Sequence, residues 1–285
     1  MLQWLKNKIS YLMLAGLCLA AFFIWLAVFE LEPGDQLKID FFDVGQGSAV
    51  LVEAANGNQV LIDGGPSDTI LAKLGSEMPL FDKKIELVIL THPDADHLSG
   101  LIEVLKHYEV SEVLETGIVD SSVEYKIWHD LIAARKIPVI FAQSGQIIKI
   151  ADNLAIKILY PLGQINGQDF SKNTNASSIM GKLFYGKNTM LFTGDAEMNA
   201  EWPLLASDAD LKADILQVGH HGSKNSSSEK FLAAVAPRVA VIQVGAKNRY
   251  GHPAQELLDR LKNINIFRTD LQKDIIFSCD LNSCW

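Results

Sequence analysis

The sequence predicts a layered α/β domain preceded by one long apolar helix, and three observations carry that prediction. Strand-like apolar runs alternate with helix-periodic segments from residue 37 to residue 278. The chain also echoes itself: an apolar strand ends in an Asp, a helical stretch follows, and another apolar strand ends in histidines. That pattern occurs once with Asp63 and His92, 29 residues apart, and again with Asp195 and His220, 25 residues apart. Finally, 48% apolar and 21% charged residues describe an ordinary globular chain with no long low-complexity region, which excludes a disordered or fibrous class.

The first element is Ile9–Phe29, ISYLMLAGLCLAAFFIWLAVF, 21 residues without a charge. A helix of that length roughly matches a ~30 Å hydrocarbon layer. Lys6 and Lys8 precede it, and Glu30, Glu32 and Asp35 follow it. The basic side stays in the cytoplasm, which places the bulk of the chain outside. We read residues 1–30 as an uncleaved single-pass anchor in a bacterial-type cell membrane. A cleaved signal peptide is the competing reading, but its apolar region runs ~7–15 residues and AVFELEPG is a poor cleavage site. A buried helix of a soluble protein is the third.

Pro33-Gly34 breaks the anchor from a domain over residues 37–280. Leu37–Val44 and Ser48–Ala54 read as antiparallel strands joined by Gly45-Gln46-Gly47. Asn56-Gly57 signals a hairpin into a strand at Gln59–Gly65. Further strands are expected near 86–91, 138–141, 154–160, 178–186, 189–193, 213–218, 239–244, 264–268 and 274–278. Helices are expected at about 97–108, 122–135, 197–206, 228–235 and 254–262, the fourth capped by the serines at 226–228. Cys279 and Cys284 fit either a disulfide outside the cytoplasm or two free thiols in a frayed tail.

The net charge is −9, and −10 without residues 1–30. Such a surface does not favour non-specific nucleic-acid binding, which needs Lys and Arg at phosphates. Bound divalent ions would reverse the sign locally.

THPDADHLSG (Thr91–Gly100) sets His92, Asp94, Asp96 and His97 within six residues, straight after the apolar run Leu87–Leu90. Ligand atoms so close repel one another and desolvate badly unless a cation sits among them. A helix-capping loop would explain Asp94 or Asp96 alone. It would not explain Asp195 in TGD and His220-His221 in HHGS at matching places in the second half. Together these make up to seven ligands, too many for one tetrahedral ion but suited to two ions about 3.5–4 Å apart with a shared carboxylate. All of them sit at strand ends, where α/β folds place sites.

These motifs resemble the metallo-β-lactamase superfamily. His92-x-Asp94-x-Asp96-His97 looks like its HxHxDH signature with Asp at the second position, and LIDGG (Leu61–Gly65), TGD (Thr193–Asp195) and HHGS (His220–Ser223) follow in order. The similarity is closest to the hydrolase domain of ComEC/Rec2-type competence proteins, through FFDVGQGSAVLV (Phe41–Val52), NASSIMGKLFYG (Asn175–Gly186), YGHP (Tyr250–Pro253) and FRTDLQKDIIF (Phe267–Phe277). It covers about residues 37–280 and implies a four-layer αββα sandwich with a metal site at one edge. Carried over, His92 and Asp94 would hold one divalent ion. Asp96, His97 and one of His220 and His221 would hold the second, and Asp195 would bridge them. Adjacent strand residues point to opposite sides, so the pair is not resolved; His220 is the favoured member. The superfamily's further histidine ligand before the bridging Asp is replaced here by NTNASS, where Asn175 or Ser178 would fill the place directly or through water. More oxygen and less nitrogen tilts the ions from zinc towards manganese.

Asp63 either orients a ligand histidine or closes a strand with Gly64-Gly65. His252 would contact substrate, protonating a leaving group or holding a phosphate oxygen, and Lys224 would bind an anionic group or stand solvated. Asp96, Asp195 and His252 are thus the expected catalytic residues. The resemblance implies a membrane-anchored nuclease or phosphodiesterase that uses ion-activated water, with single- or double-stranded DNA as substrate. Competence proteins of this type carry many membrane segments forming a DNA channel where this chain has one, so import by this chain alone is not expected. Two alternatives are a hydrolase of another ester, such as a phosphocholine or lipid-head phosphodiester, and a non-catalytic metal-binding module.

Overall fold

The computed structural model describes residues 2–30 and 36–285, without the side chains of 2–7, 9 and 26–30. The chain divides into two units, Met1–Gly34 and Asp35–Trp285. The first holds helix α1 (Leu2–Glu30). The side chains described over 10–25 are exposed. That stretch makes about 24 Å of helix. Among the described residues no helix is long and apolar enough to cross a membrane. The span expected over Ile9–Phe29 is therefore not found there, and the Pro33-Gly34 break lies outside the described residues.

The second unit begins with β1 (Leu37–Phe41), β2 (Val50–Glu53), β3 (Gln59–Ile62), α2 (Thr69–Glu77), β4 (Lys84–Ile89), α3 (Ala95–His107), β5 (Glu109–Glu115), α4 (Val123–Arg135) and β6 (Val139–Phe141). It continues with β7 (Ile147–Ala151), β8 (Leu154–Tyr160), β9 (Met180–Tyr185), β10 (Asn188–Phe192), α5 (Met198–Leu205), β11 (Ile215–Gln217), α6 (Glu229–Val235), β12 (Val239–Ile242), α7 (Gln255–Arg260), β13 (Asn265–Arg268), α8 (Thr269–Gln272) and β14 (Ile275–Cys279). Two seven-stranded sheets result, ordered β14-β1-β2-β3-β4-β5-β6 and β13-β12-β11-β10-β9-β8-β7. In each sheet antiparallel hairpins lead into a parallel run, β3 to β6 and β10 to β13.

Strand alternation sorts the apolar residues into three layers. Val60 and Ile62 of β3 meet Met190 and Phe192 of β10 in the core between the sheets. Leu61, on the other face of β3, packs under α2, α3 and α4 with Leu98, Leu101 and Trp128. Leu191 packs under α5, α6 and α7 with Leu204, Phe231 and Leu257. This is the αββα order that the family resemblance implied. Ser228 caps α6 by accepting a hydrogen bond from the Phe231 amide, and Cys279 and Cys284 form a disulfide.

One buried charge stands apart from any site. Asp40 of β1 is fully buried. Among the described residues neither carboxylate oxygen has a hydrogen-bond partner, and the Lys38 ammonium lies 3.3 Å away. Burial pushes the Asp40 pKa up to about 6, with Lys38 offsetting only part of the shift. A carboxyl raised on folding favours the folded state below its ordinary value and loses that advantage as pH rises through the folded value. Asp40→Asn should therefore gain melting temperature relative to the parent as pH goes from 4 to 7.5. A thermal-shift series with a constant difference between the two proteins would disprove it.

Candidate metal centre

The C-terminal ends of β4 and β10 meet at one edge of the sandwich. The Ile179 amide donates to the Thr91 carbonyl at 3.0 Å, and a Cβ on Gly194 would fall 2.8 Å from the Thr91 side chain. Only a residue without a side chain lets the two strand ends approach this closely. The approach delivers Asp195 to the THPDADH loop.

His92 and His97 are buried, and so is Asp195. His97 Nε2 lies 3.1 Å from Asp195 Oδ1. His92 Nε2 lies 4.0 Å from Asp195 Oδ2 and 3.7 Å from Asp94 Oδ2. His221 Nε2 lies 3.1 Å from Asp96 Oδ2 and 3.5 Å from Asp195 Oδ2. Ligand atoms of His92, His97 and Asp195, and of Asp96, His97 and His221, form two groups within 4.8 Å that could each hold a metal ion. Among the described residues, His92 Nε2, His97 Nε2 and Asp195 Oδ1 are buried without a hydrogen-bond partner. Buried polar atoms are nearly always partnered, so three orphans converging on one spot fit a cation.

Each imidazole is oriented from behind. Asp63 sits at φ 58°, a left-handed conformation uncommon for a non-glycine residue. Its carboxylate accepts from the Thr91 amide and hydroxyl and lies 2.7 Å from His97 Nδ1. Helix α3 delivers His97 because Gly100 permits it: a Cβ there would fall 1.8 Å from the Gly64 carbonyl oxygen. His221 Nδ1 lies 2.9 Å from the Gln243 carbonyl oxygen, which leaves Nε2 for the cluster. The Gln243 side chain donates across the sandwich to the carbonyls of Phe42 and Ala49.

The expectation favouring His220 meets a different geometry. His220 and His221 have φ of 50° and 51° in a short 3-10 turn rather than a strand, so strand alternation does not apply. His221 is buried, whereas the His220 side chain is 26% exposed. His220 Nδ1 lies 3.0 Å from Glu197 Oε1, with the Asn175 amide at 3.3 Å. Its ring centroid is 5.6 Å from that of His252. Ser178 accepts from the Asp195 amide, and Thr174 donates to Asp94. Asn175 Oδ1 is buried and unpartnered. His252 lines the cleft with the cluster, whereas Lys224 is not among its lining residues. Three contributors lie outside the sequence expectation: Glu197, Gln46, which lines the cleft, and Gln243.

Electrostatics follow from burial competing with neighbouring charge. Burial would raise the Asp195 pKa, but His221, His97 and His92 hold it well below the usual range. Asp96 is brought down to about 2, because His221 and His97 outweigh burial. Burial would lower His97, yet Asp195 and Asp63 hold it well above its ordinary value. His221 is raised too, since Asp195 and Asp96 outweigh burial. His92 falls to about 4 through burial and the nearby His97. His252 is lowered by burial and then by His220 and His221.

A two-sheet αββα sandwich with a His/Asp cluster at one edge defines a class. The sequence model of the Metallo-beta-lactamase superfamily matches residues 42–147 and 163–246, and the chain belongs to that superfamily. Within it, the chain is related to competence proteins of ComEC type. It is 30% identical over 289 residues to ComE operon protein 3 of Bacillus subtilis (strain 168), covering 93% of this chain and 36% of that protein. It is 33% identical over 229 residues to Recombination protein 2 of Haemophilus influenzae, covering 79% and 26%. The chain thus spans about a third of the length of the curated relatives it matches. Among solved structures, the metallo-beta-lactamase fold protein YhfI from Bacillus subtilis superposes with a TM-score of 0.57 at 14% identity, over 86% of this chain and 100% of that one. That likeness shows the fold alone.

Proposed function

We propose that the chain is a metal-dependent phosphodiester hydrolase acting on nucleic acid. The observation that carries this reading is the convergence of His92, His97 and Asp195 with their ligand atoms buried and unpartnered. His92, Asp94 and Asp195 would hold one divalent ion, and Asp96, His97 and His221 the other, with Asp195 shared. Such ions supply Lewis acidity: they acidify water and neutralise phosphate charge. The protein's own groups do the rest. Asp63 and the Gln243 carbonyl fix the His97 and His221 rings. Glu197 and Asn175 hold His220 beside His252. That imidazole pair stands at the cleft to donate a hydrogen bond to a phosphoryl or leaving oxygen. Three carboxylates and the Asn175 oxygen, unpartnered among the described residues, favour manganese over zinc. The competence proteins among its relatives support DNA as substrate.

The test is cleavage of DNA and of bis(p-nitrophenyl) phosphate by the purified chain loaded with Mn²⁺ or Zn²⁺. DNA cleavage lost in Asp96→Asn is the expected result. Cleavage of the small diester with DNA left intact would point to another ester, and bound metal without turnover on either would end the enzymatic reading. Attachment to a bilayer through the N-terminal helix, with the hydrolase unit outside the cytoplasm, belongs to the same proposal. It rests on the uncharged 21-residue run and the exposed apolar side chains described within it. Recovery of the intact chain from a soluble fraction without detergent would refute it.

A further inference from the structure

We propose that Tyr250 is a stacking platform for one base of single-stranded nucleic acid whose neighbouring phosphodiester enters the His/Asp cleft. This inference rests on the phosphodiesterase reading and names the substrate form. The cleft measures about 150 Å³, below the ~300–1,000 Å³ of pockets that enclose a whole small molecule. It admits a phosphate group and leaves sugar and base outside, so recognition beyond the phosphate must come from the rim. Among the described residues Tyr250 is the one aromatic lining residue besides the imidazoles, and it is 57% exposed.

An exposed tyrosine by itself needs no explanation. Two further facts set this one apart. The loop beneath it is braced: Asn248 Oδ1 accepts from the Tyr250 and His252 amides at 3.1 and 3.0 Å. Asn248 Nδ2 donates to the Gly245 and His252 carbonyls at 2.9 and 2.7 Å. A loop already held in place loses little entropy when a ligand docks against it. The ring also has a cationic neighbour, with the Arg249 guanidinium carbon 5.3 Å from its centroid. Exposed Lys247 lies on the same loop. A ring with a guanidinium over it brings together aromatic surface and positive charge, the two features that single-strand binding uses.

The protein's acidity and the need for a free base face together favour a single strand. With a net charge of −9, tracking a duplex along many phosphates is unfavourable. A paired base offers no free face without unstacking, whereas a single strand presents one at once. Stacking therefore replaces charge as the main grip, and single strands are selected.

The experiment uses the purified chain with Mn²⁺ and a short single-stranded oligonucleotide whose cleavage position is mapped. Abasic residues are placed in turn on either side of that position. One abasic position should lower kcat/KM about tenfold or more in the parent. Tyr250→Ala should cost a similar factor on the intact strand, and the two losses should not multiply. Tyr250→Phe keeps the ring without the hydroxyl and should retain activity. Independently of turnover, Tyr250→Ala and not Tyr250→Phe should weaken strand binding to metal-free protein, read by fluorescence anisotropy. Multiplying losses, a Phe variant as poor as the Ala variant, equal cleavage of duplex, or binding indifferent to Tyr250 would each overturn the inference. Absence of any phosphodiester cleavage by the parent, with Tyr250-dependent binding intact, would instead overturn the hydrolase reading.

Discussion

Asp195→Asn is expected to lower phosphodiester hydrolysis by about 10³-fold or more and to cut the bound metal below one ion per chain. Asp195 lies within 4.0 Å of the ring nitrogens of His92, His97, His220 and His221. An amide presents one oxygen and an N–H where the carboxylate presents two acceptors, so under the proposed two-ion arrangement the contact would change from attraction to partial repulsion. The carboxylate also helps to keep His97 protonated in the metal-free protein, so the variant leaves that imidazole less charged as well. Metal content by elemental analysis and initial rates at saturating metal check the expectation. An unchanged two-ion stoichiometry would refute it, and an unaltered circular-dichroism spectrum would separate the effect from misfolding.

The second large effect is a pH-dependent gain of stability on metal loading. In the metal-free protein Asp195, Asp63 and Asp96 hold His97 and His221 above their ordinary pKa. A group raised on folding contributes stability below its unfolded pKa, near 6.5 for histidine, and loses it as pH climbs through the folded value. Asp195 and Asp96 are lowered. Their contribution is present above the unfolded value near 3.8 and is lost as pH falls through the folded one, about 2 for Asp96. The contributions of these four groups are together fullest between about pH 4 and pH 6.5 and weaken above that window, while His92, lowered to about 4, opposes them as pH falls below 6.5. Metal binding must displace those histidine protons, so affinity climbs with pH. At a metal concentration 1,000 times Kd the gain is about 4 kcal/mol. Thermal melts in chelator and in Mn²⁺ at pH 6 and 8.5 should show an increment that grows with pH. A pH-independent increment would contradict the assignment of His97 and His221 as ligands.

What was legible in the sequence divides by how local the information is. His92, Asp94, Asp96 and His97 fall within six consecutive residues, at the loop before α3 and its first turn, so their proximity needs no tertiary knowledge. Asp195 and the 220/221 pair were legible through the repeated strand–Asp, strand–His pattern. The choice within the pair was not, because it depends on two consecutive left-handed residues that no periodicity signals. Glu197, Gln46 and Gln243 were equally hidden. Gln243 reaches carbonyls 201 and 194 residues away, and Gln46 accepts from the Gly245 amide 199 residues away. Among the elements, α2 escaped the pattern because it buries only Ile70 and Leu74 and contains Gly75. Strand β5 escaped because Glu109, Glu112 and Glu115 interrupt its apolar alternation.

The donors to the cluster arrive from opposite sheets, and the apolar filling between those sheets sets how far apart they stand together with the few hydrogen bonds that cross from one to the other. Phe192, Ile62 and Ile89 are in this sense the jaws of a caliper. A close-packed interior tolerates little change in volume, so ion spacing and hence catalytic tuning are written partly in residues that never touch solvent or substrate. Evolution could retune this enzyme for a different cation by swapping one methylene deep inside it, leaving every ligand as it is.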